Sequence, residues 1–109
     1  MLYEKISKSQ EEADINLWRE CLHDEWEFLM HSSGKIHRKG GGNADDWAKM
    51  QKSMIRENQR CIYENDDILV MHSISHFPND TSDAVMMVHL KKDGLLWRTE
   101  TGSTPLSKD

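Results

Sequence analysis

The 109-residue chain carries 14 Lys and Arg against 19 Asp and Glu, a formal charge of −5. Its basic residues are scattered, so no positive stripe is available to displace counterions from a nucleic-acid backbone. The longest strictly apolar run, Ala84 to Val88, is far too short to cross a bilayer, and the opening Met-Leu-Tyr-Glu-Lys-Ile-Ser-Lys lacks an apolar core of signal-peptide length.

These features predict one cytoplasmic domain over residues 1–109, with no nucleic-acid or membrane partner. With 37% apolar and 30% charged residues the core is thin, and pairing into a homodimer would help it. Cys21 and Cys61 lie far apart without CxxC spacing and are expected to be buried, reduced thiols.

Ser9 with Glu12 three residues later has the form of a capping box, and Ile15, Trp18 and Leu22 then recur at helical spacing, predicting a helix over 9–24. Residues 26–31 and 35–39 flank Ser32-Ser33-Gly34 and read as a hairpin. Gly40-Gly41-Gly42 is expected to be a connector able to gate a pocket mouth. Asn43 is then an N-cap for a second helix over 43–58, with Asp45 and Asp46 at its positive end and Trp47, Met50 and Met54 along one face. Three β segments follow: 60–64 running on through 67–77, then 83–91, then 95–101, with Asp93-Gly94 the strongest hairpin signal. The pattern is α+β, in the order helix, hairpin, helix and three-strand meander on a curved antiparallel sheet.

His72 and His76, four apart, could share a metal ion on a helix. On a strand they stand about 13 Å apart, and the β-rich surroundings favour the strand, so no metal or cofactor is expected. Closing Asp93-Gly94 as a two-residue loop pairs His89 with Arg98 and Met87 with Glu100, and placing Phe77 opposite Ala84 pairs His72 with His89. One row then holds His72, His89 and Arg98, with Ile74, Met87 and Glu100 beside it. The other face would hold Leu69, Met71, Phe77, Met86, Val88, Leu90 and Trp97. Three readings of the row are open: a pocket floor, in which Arg98 orients an anionic or carbonyl group while a histidine exchanges protons; a solvated or interfacial sheet face; or a row dispersed by a bulge.

The chain resembles the nuclear transport factor 2-like superfamily, the cone-shaped α+β fold of ketosteroid isomerase, scytalone dehydratase, limonene epoxide hydrolase and polyketide cyclases. The resemblance rests on the N-terminal helix with Trp18, the hairpin Trp26-Glu-Phe-Leu-Met-His-Ser-Ser-Gly34-Lys-Ile36, the helix with Trp47, and the closing Asp93-Gly-Leu-Leu-Trp-Arg-Thr-Glu100. That ending is similar to the family's Asp-Gly-x-aliphatic-x-Arg-x-Glu pattern. The resemblance implies a cystatin-like cone with an apolar cavity open at one end, and dimerisation through the sheet. It implies a partial likeness to scytalone dehydratase at His72 and His89, and to the epoxide hydrolases at Arg98 and Glu100. The tyrosines used by ketosteroid isomerases have no counterpart in Tyr3 or Tyr63.

Two classes of function fit. One is a small-molecule domain for an apolar or carbonyl-bearing ligand, acting as a lyase or isomerase by histidine-mediated proton transfer, with His72, His89 and Glu100 as catalytic candidates and Arg98, Trp18, Met87 and Ile74 as ligand contacts. The other is a non-catalytic ligand-binding or dimerising accessory domain. Whether turnover occurs is left open by the residues.

Overall fold

The computed structural model describes residues 1–30 and 33–107. The elements are α1 (Leu2–Glu12), α2 (Ile15–Glu20), β1 (Leu22–Met30), β2 (Lys35–Arg38), α3 (Ala44–Ser53), β3 (Ile55–Glu64), β4 (Ile68–His76), β5 (Ser82–Lys92) and β6 (Leu95–Pro105). The strands form one curved, unclosed mixed sheet in the order β2-β1-β6-β5-β4-β3, in which only β1 and β6 run parallel. Ile6, Cys21, Leu22, Trp26, Leu69, Met71 and Leu96 are buried together, so the helices cover one face of the sheet in the expected α+β cone. No helix of the described residues is long and apolar enough to cross a membrane.

The helical region before the hairpin is two helices rather than one. Ala13 adopts a left-handed conformation, φ 51°, and ends α1, while the Asp14 carboxylate accepts from the amides of Asn16 and Leu17 and starts α2. Ser9 is therefore no cap. It lies inside α1, fully buried, and its hydroxyl donates back to the Ile6 carbonyl at 2.6 Å. The cap of α1 comes from far along the chain: the Leu2 and Tyr3 amides donate to the Glu64 carboxylate at 2.8 and 3.3 Å.

Asn43 caps α3 as its sequence predicts, accepting from the Asp45 and Asp46 amides at 2.8 and 3.2 Å, a contact that contributes about 1 kcal/mol. The helix stops at Ser53 instead of continuing to 58, because Met54 is extended (φ −93°, ψ 135°) and opens β3. Where the β signal runs on from 60 to 77, the chain turns. The Asn65 side chain accepts from the Asp67 and Ile68 amides and folds β3 back on β4, which places a further strand before the expected meander. Cys21 and Cys61 are both free; Cys21 is buried, whereas Cys61 is only half-buried.

The register disperses the polar row. Lys92 does face Leu95 across Asp93-Gly94, but an irregularity between Leu90 and Lys91 shifts β6 by one residue, so His89 pairs with Thr99, Leu90 with Arg98 and Val88 with Glu100. The loop joining β4 to β5 is also tighter than expected. Phe77 bonds Thr81 across it, and His72 comes to face Met86 while Leu69 faces His89. Both slips are odd, and an odd slip moves a side chain to the other face. His89 and Met87 therefore point to the helix side with Leu69 and Met71. His72, Ile74, Arg98 and Glu100 lie on the outer side with Met86, Val88 and Leu90. The single apolar face expected from Leu69 to Trp97 is split in the same way.

Candidate functional site

Between the helices and the concave face of the sheet lies a cavity of about 450 Å³. Its wall carries a continuous aromatic chain. Trp18 of α2 stacks on Trp47 of α3 at 6.5 Å and meets the edge of Trp26 of β1 at 5.9 Å; Trp26 meets Phe28 at 6.0 Å, and Phe28 meets His37 of β2 at 6.1 Å. Met30, Met50, Met54, Met71 and Met87 add adaptable apolar surface. The Gly40-Gly41-Gly42 connector also borders the space, and Gly40 and Gly42 hold positive φ values of 84° and 79° that side-chain-bearing residues rarely adopt.

Of the expected ligand contacts, Trp18 and Met87 line this cavity; of the expected catalytic residues, His72 reaches its border, although its side chain lies on the outer face with Arg60. The His72 ring is held by Arg60: Nδ1 lies 3.3 Å from Nη1. Because guanidinium nitrogens only donate, Nδ1 is the acceptor and His72 carries its proton on Nε2. Arg98 and Glu100 pair with each other on the outer face, Nε to Oε2 at 3.3 Å, and Ile74 points the same way. His76 lies on that face too, its ring between Glu57 at 2.8 Å and Ser82 at 2.7 Å. His72 and His76 thus have separate partners. His31 lies outside the described residues.

His89 is 1% exposed and sits in the core, away from the cavity wall. Its Nδ1 is 2.7 Å from the hydroxyl of Thr99, which is 3.0 Å from Trp26 Nε1. The indole can only donate, so a Trp26 to Thr99 to His89 chain satisfies three groups in series and leaves His89 Nε2 without a partner among the described residues. Burial pushes the imidazole pKa down to about 4, only partly opposed by the charge of Glu64. His89 is a neutral core residue in this arrangement.

Polar groups that no sequence motif singles out face the cavity. Arg56, Gln51, Ser73, Ser75 and Thr101 line it, and the Gln51 Oε1 and Thr101 Oγ1 atoms are buried without a partner among the described residues. Arg56 was hidden because the Met50/Met54 periodicity carries the helix through it. The signal that finds it is the alternation in Ile55-Arg56-Glu57, a strand opening on a polar inward residue.

No family model matches the sequence, and no curated protein does. Solved structures match its shape. An NTF2-like protein of unknown function from Cytophaga hutchinsonii superposes with a TM-score of 0.73 at 10% identity, covering 94% of this chain and 87% of that one. An NTF-2 like protein of unknown function from Burkholderia xenovorans gives 0.69 at 7%, covering 97% and 82%. A hypothetical protein with a ketosteroid isomerase-like fold from Catenulispora acidiphila, in complex with trimethylamine, gives 0.65 at 9%, covering 93% and 83%.

Proposed function

The chain has the nuclear transport factor 2-like cone fold, and from that premise we propose that it is a small-molecule domain whose cavity takes an apolar, carbonyl-bearing ligand. The observation that carries this reading is the aromatic and methionine wall around a space of about 450 Å³, a volume and lining suited to a compact organic molecule. Unpartnered Gln51 and Thr101 atoms in that wall supply the sparse polar groups that fix a ligand's orientation. The trimethylamine complex of the Catenulispora acidiphila neighbour supports small-molecule occupancy of this fold.

Naphthyl methyl ketone is a suitable neutral probe. Calorimetric titration should show saturable binding at one site per chain, and Val85→Trp, which fills the floor between Ser73 and Ser103, should weaken it by at least about tenfold. Binding that ignores this substitution would refute the cavity as the site. A catalytic reading, as a lyase or isomerase, rests on His37, whose ring packs on Phe28 in the cavity wall; with no carboxylate in the lining among the described residues, its imidazole is the group there that could move protons. In heavy water, exchange at the ketone's methyl carbon that is lost in His37→Asn would favour that reading; tight binding without exchange would favour an accessory domain.

We also propose that the outer sheet face is where two copies pair. Met86 and Ile55 are 44% and 66% exposed there, opposite His72 and His76, and a second copy would cover them. Sedimentation should give twice the mass of the chain, with Met86→Glu shifting it toward the monomer; a wild-type monomer at high concentration contradicts this.

A further inference from the structure

The charged residues of the cavity wall among the described residues are Arg19, Arg38, Lys39 and Arg56, all cations, in a chain whose overall charge is −5. Two are neutralised at the edge: Arg38 pairs with Glu27 and Lys39 with Asp24, each at 3.2 Å. Arg56 has no acceptor among the described residues, although it is partly buried where β3 meets the cavity. Burial lowers its pKa, with no neighbouring carboxylate to offset the loss of water. The one carboxylate on its row, Asp83 on β5, lies beyond Ser75, makes no ion pair with it and is not part of the wall.

The neighbours of Arg56 on its face of the sheet are hydroxyl-bearing. Its cross-strand partner is Ser75, and Ser73 follows two residues along the same face; both are nine-tenths or more buried, both line the cavity, and neither side chain has a partner among the described residues. Directly opposed residues place their Cβ atoms about 5 Å apart, so Arg56 and Ser75 rise from adjacent positions, with Ser73 next along the same face, in a wall whose largest part is aromatic and thioether. A desolvated guanidinium without a counter-charge is costly, and a planar carboxylate satisfies it with paired hydrogen bonds.

We propose that the ligand of this cavity is an amphiphilic organic carboxylate, its oxygens held by Arg56, Ser75 and Ser73 and its apolar body lying along the tryptophan and methionine wall. This rests on the small-molecule reading above and names the ligand class for it.

The test compares naphthoate with naphthyl methyl ketone, which differ in having a carboxylate oxygen in place of a methyl group. Wild-type protein should bind naphthoate at least about tenfold more tightly than the ketone, and Arg56→Met should erase that preference while leaving ketone affinity within about twofold. Arg56→Lys, which keeps the charge and loses the fork, should retain part of the preference and guards against misreading an unfolded variant. Ketone binding with no preference for naphthoate, or a preference indifferent to Arg56→Met, overturns the carboxylate assignment and leaves the small-molecule reading standing. Failure of both probes to bind removes the two together.

Discussion

Replacing Lys91 with methionine is expected to lower the unfolding free energy by about 3–5 kcal/mol, since it leaves a buried carboxylate without its counter-ion. Lys91 Nζ lies 2.6 Å from Glu64 Oε2 and 2.7 Å from the Asn65 carbonyl, with the two charged side chains only 4% and 6% exposed. Burial alone would raise the Glu64 pKa; the Lys91 ammonium and the Leu2 and Tyr3 amides outweigh it and hold the carboxyl below its ordinary value. That same carboxylate caps α1, so the pair ties the chain's first helix to the end of β3 and to β5. Urea unfolding should show Glu64→Gln comparably destabilised, and the double variant should recover much of the sum of the single losses, the signature of two residues acting as one unit. Single losses under about 1 kcal/mol would mean that the pair behaves as a solvent-exposed one.

Acid should begin to weaken the fold just below neutral pH, and His89 is the reason. Its folded pKa of about 4 lies below the ordinary 6.5, so between those values the unfolded chain binds a proton that the folded chain refuses. Stability therefore falls as pH drops through this window. From pH 7.5 to 4.5 the loss attributable to this one residue is about 2.5 kcal/mol, a large share of the 5–15 kcal/mol typical of a domain. Glu64 acts in the opposite structural sense but along the same axis: its depressed pKa supplies stability above its ordinary value of 4.5, lost only as pH falls through the lower folded value. The two contributions are separable. In His89→Gln the decline between pH 6.5 and 4.5 should be largely gone, at the cost of some stability at neutral pH from the broken contact with Thr99. A variant that keeps the full wild-type decline would show that His89 is accessible to protons in the folded state.

Local chemistry made much of the fold legible. Asn43 and the acidic turn after it announce α3, Asp93-Gly94 places the β5–β6 turn, and the hairpin around Gly34 lies where its turn residues put it. Failures came where a long-range contact replaced a local cap or where one extra residue entered a strand. The start of α1 is capped by Glu64, 62 residues beyond Leu2 in sequence, a partner no window around Ser9 reveals. The irregularity between Leu90 and Lys91 and the tight turn after His76 each shift a register by an odd number. A period-two pattern carries no memory of such a slip, so His72, His89 and Arg98 look aligned in sequence and diverge in space. Arg98, expected to face a ligand, lies on the outer face, whereas Arg56 occupies the cavity wall, masked by methionines that continue a helical rhythm past the end of α3.

The cavity is most directly tested by the four tryptophan indole N–H resonances of isotopically labelled protein during titration with naphthoate. Trp18, Trp26 and Trp47 line the space and Trp97 does not. Saturable shifts of the first three resonances with Trp97 unmoved are the predicted result. A titration that moves Trp97 alone, or none of the four while naphthoate binds, would contradict a ligand site between the helices and the concave sheet.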